Sequence, residues 1–171
     1  MNKQESFESE RLLYRGINEL DTECLVRWRS EPELIRFFRN PEPITLRSHL
    51  EWFSNSYMKN DFRFDFIIFE KSSERCIGTV GVSAIDLSAG ACEISYMIAE
   101  FDFRRKGFAQ EAVSAMMGKM IRENIRTFFA EIHKDNLASI NMVRKLGFSF
   151  SSQCGDFIMF AIEKQSGVQF A

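Results

Sequence analysis

The stretch from Ala91 to Met120 constrains this chain more than any other. Cys92-Glu93-Ile94-Ser95-Tyr96-Met97-Ile98 reads as a strand and Glu100 to Phe103 as a turn. Arg104-Arg105-Lys106-Gly107-Phe108-Ala109 then runs into a helix-like segment ending near Arg122. A strand, a basic loop with a glycine at its tight point and a helix together make an anion cradle. The free N–H groups and the positive end of the helix dipole point at whatever lies over the loop. Gly107 allows close backbone approach, and Ala109 leaves the first turn unobstructed. The stretch suits a pyrophosphate, although a solvated basic loop before a surface helix would show the same residues. No Gly-Lys-Ser/Thr follows the loop and the three-glycine dinucleotide fingerprint is missing, so ATP and NAD are poor candidates.

At 171 residues, a single domain spanning 1–171 with a full core is expected, with no repeat or linker to divide it. The net charge of −2 gives no general attraction to nucleic acid or to an anionic membrane, so neither is expected as a partner. The polar, acidic start and the lack of a long apolar run read as a chain without secretion signal or membrane span. Cys24, Cys76, Cys92 and Cys154 form no C-x-x-C pair and no His/Cys cluster. Free thiols in a reducing cytosol, and no metal, are therefore expected. Phenylalanine occurs 18 times, which suggests a Phe-rich core, an aromatic-walled cleft and room for a homodimer interface.

Arg11 to Arg15 reads as the first strand and Asn18 to Asp21 as a helix start, with Pro32 as an interruption. Thr45 or Ser48 is placed to cap a helix carrying Leu46, His49, Leu50, Trp52, Phe53 and Tyr57. Phe62 to Phe69 alternates as a strand, and Cys76 to Ile85 is the next, with Gly78 and Gly81 as bulges or points of close approach. Thr127 to His133 is a strand and Leu137 to Leu146 a helix, closed by Gly147 as a left-handed cap. Two short strands flank Gly155, and Gln165 to Ala171 reads as a frayed end.

Two motifs coincide in this order: Arg104-x-x-Gly107-x-Ala109 between a strand and a helix, and Asn136-x-x-Ser139-Ile140-x-Met142-x-x-Lys145-Leu146-Gly147-Phe148 after the next strand. Together they resemble the GNAT superfamily of acetyl-CoA-dependent N-acetyltransferases over nearly the whole chain. The nearer resemblance is to the Rim-type protein acetyltransferases and to the acetyltransferases of nucleotide-linked amino sugars. Ile44-Thr45-x-x-Ser48-His49-Leu50-Glu51-Trp52-Phe53, preceded by Trp28-Arg29, carries the latter. The resemblance implies a single-domain α/β fold. Its mixed, mostly antiparallel sheet would have about six to seven strands, flanked by about four helices and splayed into a V-shaped cleft. It implies acetyl-CoA as co-substrate. Backbone amides of Arg104, Arg105, Lys106, Gly107, Phe108 and Ala109 would bind its pyrophosphate, and Tyr96, Met97 and Ile98 would pair with its pantetheine arm. Asn136 and Ser139 would contact it from the other side, while Arg105, Lys106, Arg144 and Lys145 could reach its 3′-phosphate.

Acetyl transfer to an amine needs a base for the ammonium proton, a donor for the oxyanion, and help for the departing thiolate. Glu131 is the first candidate base, because it stands five residues before Asn136, the place of the catalytic glutamate in the Rim-type pattern. Glu93 on the central strand is the second, and alternation alone leaves the face of Glu131 open. Many relatives carry a tyrosine in the last helix as the acid for the thiolate, and that position is Val143 here. Tyr96, Ser139 or His133 could serve instead, or the thiolate could leave unassisted. An inactive, coenzyme-holding module is the rival of another class. Arg29, His49 and Trp52 are the candidate acceptor contacts, with Arg27, Arg36, Arg39 and Arg47 nearby. Such a basic, aromatic groove favours a nucleotide-linked amino sugar, whereas an acidic stripe would favour a peptide or polyamine. A protein N-terminus or another small amine is the alternative acceptor.

Overall fold

Alternation of apolar and polar residues over 64–98 builds the middle of the sheet. In the computed structural model, which describes residues 2–164, the strands are β1 (Ser6–Glu8), β2 (Leu12–Gly16), β3 (Phe64–Glu70), β4 (Arg75–Asp86), β5 (Ala91–Ile98), β6 (Thr127–His133), β7 (Ser149–Cys154) and β8 (Phe157–Glu163). They form one sheet in the order β1-β2-β3-β4-β5-β6-β8-β7. Every neighbouring pair is antiparallel except β5 and β6, which run parallel. The five α-helices are α1 (Thr22–Trp28), α2 (Pro32–Ile35), α3 (Leu46–Trp52), α4 (Phe108–Arg122) and α5 (Leu137–Lys145).

The expected α/β single-domain fold is present, with a strand and a helix beyond the expected numbers. The added strand, β1, is too short for its alternation to register; Phe7 anchors it by stacking on Tyr14 at 4.5 Å. The added helix is α2. Pro32, read as an interruption, stands at its first position, where proline's missing N–H costs nothing and its fixed φ suits the turn. Phe62 falls outside β3 and is largely exposed. Gln165 to Ala171 lies outside the described residues.

Helices cover both faces of the sheet. On one face, Phe108, Ala112, Val113, Met116, Met117 and Met120 of α4 recur at helical spacing and pack with Ile140 and Val143 of α5 onto Ile77, Val80, Ile94 and Phe128. On the other face, Leu25, Trp28, Leu34, Ile35, Phe53 and Tyr57 gather over Ile67 and Met97. Local signals place the helices of that second layer. Thr45 Oγ1 accepts from the Ser48 N–H at 3.1 Å, and Ser48 Oγ accepts from the Thr45 N–H at 3.0 Å; this reciprocal capping starts α3. A π-helical turn, Phe53–Tyr57, continues it, and the Tyr57 hydroxyl accepts from the Asp65 N–H at 3.1 Å. Cys24, Cys76, Cys92 and Cys154 are free thiols. No helix among the described residues is long and apolar enough to cross a membrane.

The feature that positions the site is the join between β5 and β6. Their ladder holds for Ala91–Thr127, Cys92–Phe128 and Glu93–Phe129, and then ends. Beyond it β5 pairs only with β4, and β6 only with β8, so the sheet opens into a V. A register shift in β4 between Ser83 and Asp86, with Ala84 at φ 48°, sits beside the closed end. Such a bulge concentrates twist locally.

Gly78 and Gly81 prove to be points of close approach. A Cβ on Gly78 would lie 1.9 Å from the Met97 carbonyl oxygen, and one on Gly81 would lie 2.4 Å from Asp65 Oδ1. Gly78→Ala must therefore push β4 off the strand that lines the cleft. It is expected to cost about 2 kcal/mol or more, measurable as a lower midpoint in urea unfolding.

Candidate active site

The left-handed turn at Gly107 (φ 83°) ends the loop after β5 and starts α4, and no side chain caps the helix there. The first-turn amides, at the positive end of a helix about 22 Å long, are left to an outside acceptor. Arg105 (φ 61°) and Lys106 are exposed beside them, while Arg104 Nε turns back to the Ile98 carbonyl at 3.0 Å and fixes the end of β5. Glu111, the acidic residue of the first turn, would oppose an anion, but it is engaged elsewhere. It accepts from the Arg11 N–H at 2.8 Å, Arg11 Nε at 2.7 Å and Ser9 Oγ at 2.7 Å. Against the cost of burial, these bonds hold its carboxyl below the ordinary glutamate range. Arg11 also donates to the Lys106 carbonyl at 3.0 Å, bracing the loop.

From this loop the unpaired edge of β5, through Ile98, Met97 and Tyr96, leads down to the closed end of the V. The opposite wall is the start of α5. Its cap is Asn136, whose Oδ1 accepts from the Ser139 N–H at 3.2 Å. A cavity of about 430 Å³ occupies the V, and Glu93, Tyr96, Glu131, His133, Asn136 and Ser139 are among the residues lining it.

Alternation along β6 now settles the face of Glu131. Phe128, Ala130 and Ile132 are buried under the helices, so Phe129, Glu131 and His133 face the cleft side. Glu93 and Glu131 thus line one space, in different states. Glu131 is held bidentately by Arg39, from the chain after α2. Glu93 makes no hydrogen bond or ion pair among the described residues. Burial, and then the Glu131 charge, raise its proton affinity above that of an ordinary glutamate, against Arg39 and Arg63.

The Tyr96 hydroxyl is buried without a hydrogen bond of normal geometry. Burial pushes its pKa up to about 12, and the neighbouring Ser139 lowers it only in part. The His133 ring stands between Phe37 and Phe157, at 5.4 and 5.3 Å, and its Nδ1 accepts from the Asp135 N–H at 3.2 Å. Val143 is fully buried and carries no donor.

A second cavity, of about 530 Å³, adjoins the first and shares Arg29, Phe38, Arg63, Ser95 and Tyr96 with it. The structure brings all three expected acceptor residues, Arg29, His49 and Trp52, to its wall. Arg29 lies 4.5 Å over the Phe38 ring and makes no ion pair among the described residues. Burial, and then Arg63, make its charge costly. His49 is buried with Nε2 unpartnered, its ring 5.3 Å from that of Trp52, and burial lowers its proton affinity. Arg63, on β3's flank, was not anticipated; it pairs with Asp65 at 2.6 Å and lies 5.2 Å over Trp52. The alternation of 62–69 does place Arg63 and Asp65 on one side, which is the signal that could have found it. Of the other arginines, Arg27 pairs with Glu100 and Arg47 with Glu51, both away from the cleft. Arg36 is exposed over Phe37.

Residues 11–149 match the family model described as an acetyltransferase (GNAT) domain. A relative from Methanocaldococcus jannaschii is 31% identical over 144 residues, a match covering 82% of this chain and 28% of that longer protein. Among solved structures, the ribosomal L7/L12 α-N-protein acetyltransferase RimL in complex with coenzyme A superposes with a TM-score of 0.81 at 19% identity, covering 93% of this chain and 98% of the other. Spermidine N-acetyltransferase from Vibrio cholerae, in complex with CoA and spermine, gives 0.80 at 16% identity, covering 91% and 96%. With the family model spanning most of the chain and the same fold found in both structures, this chain belongs to the GNAT family of acetyltransferases.

Proposed function

We propose that this acetyltransferase moves the acetyl group of acetyl-CoA to the amine of an anionic small molecule, with a nucleotide-linked amino sugar as the first choice. The observation that carries the reading is the unpaired edge of β5, which runs from the anion cradle at Gly107 to two carboxylates where the sheet closes. The residues present fit the co-substrate. The first-turn amides of α4 with Arg105 and Lys106 receive its pyrophosphate. Backbone groups of Tyr96, Met97 and Ile98 meet the amides of its pantetheine arm, and Asn136 and Ser139 form the facing wall. An N–H of the open strand edge receives the oxyanion as the carbonyl is attacked.

The geometry supports Glu93 over Glu131 as the base. A carboxylate clamped by a guanidinium is a poorer proton acceptor than an unpaired one whose proton affinity burial has raised. Glu131 with Arg39 then sets the field around Glu93 and stays the second candidate. The amine approaches Glu93, and the acceptor's negative group lies toward Arg29, whose charge has no acidic partner. Trp52 and Phe38 offer flat apolar surface for a base or sugar ring. A protein N-terminus is the second reading, favoured by the likeness to RimL. A polyamine fits less well, because Arg29 and Arg63 would repel its far end.

Glu93→Gln is expected to lower kcat about 10²-fold or more while leaving the KM for acetyl-CoA unchanged. In the parent enzyme, kcat/KM should rise with pH through a pKa above the ordinary glutamate range, because the base works only when ionised. Stability runs the other way. A carboxyl with a raised folded-state pKa favours the fold when protonated, and that contribution is lost as pH rises through the folded pKa. Glu93→Gln should therefore melt higher than the parent at neutral pH, and the gap should close in acid. Arg29→Ala is expected to raise the KM for an anionic acceptor about tenfold or more, in line with loss of a charge-assisted hydrogen bond, with coenzyme A binding unchanged by calorimetry. An unchanged acceptor KM would remove the anionic-acceptor reading.

A further inference from the structure

We infer that Cys24 and Cys76 are a redox site: a hydroperoxide converts the two thiols of the native protein into a reversible disulfide that pins α1 to the sheet. Engaged side chains bring the pair together. Cys76 is the second residue of β4 and stands opposite Phe69 of β3. Arg15 lies 5.3 Å over the Phe69 ring and reaches Asp21 through two bonds, of 2.7 and 3.0 Å. Asp21 is the N-cap of α1, and Cys24 follows within the first turn. Both thiols pack on the apolar cluster that holds Leu25, Trp28 and Ile67. They adjoin Arg15, and they are direct neighbours of each other. The remaining thiols stand apart: Cys92 is buried in the cluster on the opposite face, and Cys154 is exposed on the edge strand β7.

Access sets the order of events. Both residues are half-buried, and Cys76 directly follows an exposed turn, residues 71–75. Its thiolate attacks one peroxide oxygen, the O–O bond breaks, and the departing hydroxide takes up the proton that the thiol released. Cys76 is then a sulfenic acid. The Cys24 sulfur attacks the Cys76 sulfur, and its proton leaves with the displaced hydroxyl as water. The two thiols lose two electrons, the peroxide gains them, and a dithiol reductant reverses the change. Burial, and then the neighbouring Cys76, push the Cys24 pKa up to about 12. The closing step therefore draws on a scarce thiolate and quickens as pH rises. Its mechanical effect falls on the larger cavity. Leu25 and Arg29, at the end of α1, line that cavity together with Thr79 of β4. On the reading proposed above, the bridge thus fixes a wall of the acceptor site to its floor.

The test treats the folded protein with hydrogen peroxide, in a Cys154→Ser background that prevents coupling between molecules, then alkylates it and maps the peptides. Cys24 and Cys76 should disappear together as free thiols and be recovered as one cross-linked peptide, and dithiothreitol should restore them. Bridging should be faster at about pH 9 than at about pH 7. The oxidised protein should melt roughly 5 °C or more above the reduced one, the scale of a loop-closing disulfide in a chain of this size, and the α1 amides should exchange more slowly. Cys24→Ser should stop at a Cys76 sulfenic acid, trapped by dimedone, and show no rise in melting temperature on oxidation. Bridging seen only after unfolding in urea would overturn the inference. Conversion of Cys76 to a sulfinic acid with Cys24 intact, or a bridge that lowers the melting temperature, would overturn it as well. None of these readouts uses coenzyme or acceptor, so the site and the acetyltransferase reading stand or fall separately.

Discussion

Everything at the site depends on a parallel pairing that stops after Glu93 and Phe129. Parallel neighbours normally share a continuous ladder, and a strand interior with unpaired amides is costly unless something else meets them. Here the ladder is surrendered over the rest of β5, while β4 and β8 hold the two arms of the V from outside. The opening thus lies between two rigid antiparallel blocks and need not be created by motion. The crossover through α4 returns the chain from the open end of β5 to the closed end of β6. The positive end of that helix therefore stands at the mouth of the same opening.

Charge is distributed along this opening with a direction. Exposed cations surround the loop at its mouth, two carboxylates stand at its closed end, and an arginine without an acidic partner lies in the adjoining cavity. Pairing differs among them in a way that composition hides. The net charge of the whole chain is −2, yet Glu131, Asp65 and Glu111 are each matched by an arginine. Glu93 and Arg29 are left unmatched. Unmatched charges cost stability as they leave water, and these two half-buried groups line the same cavity.

Much of this was legible in the sequence. The Gly107 turn, the Thr45 cap and the Gly147 cap are local chemistry, and each lies where its residues required, Gly147 at φ 93° with the Phe148 N–H returning to the Val143 carbonyl. The long strands declared themselves through alternation. What escaped was set by tertiary context. β1 is anchored where Phe7 finds Tyr14 and Phe66. The difference between Glu93 and Glu131 arises from Arg39, ninety-two positions away from the residue it clamps, and no local pattern reports such a partner.

The contacts of Arg11 carry a further implication. This residue precedes β2 near the start of the chain, yet it neutralises Glu111 and donates to the carbonyl of Lys106. The hairpin of β1 and β2 is therefore a brace for the loop that starts α4 as well as the sheet's edge. Sequence drift in that hairpin would be felt first as a displaced Gly107 turn, and only afterwards as loss of the fold.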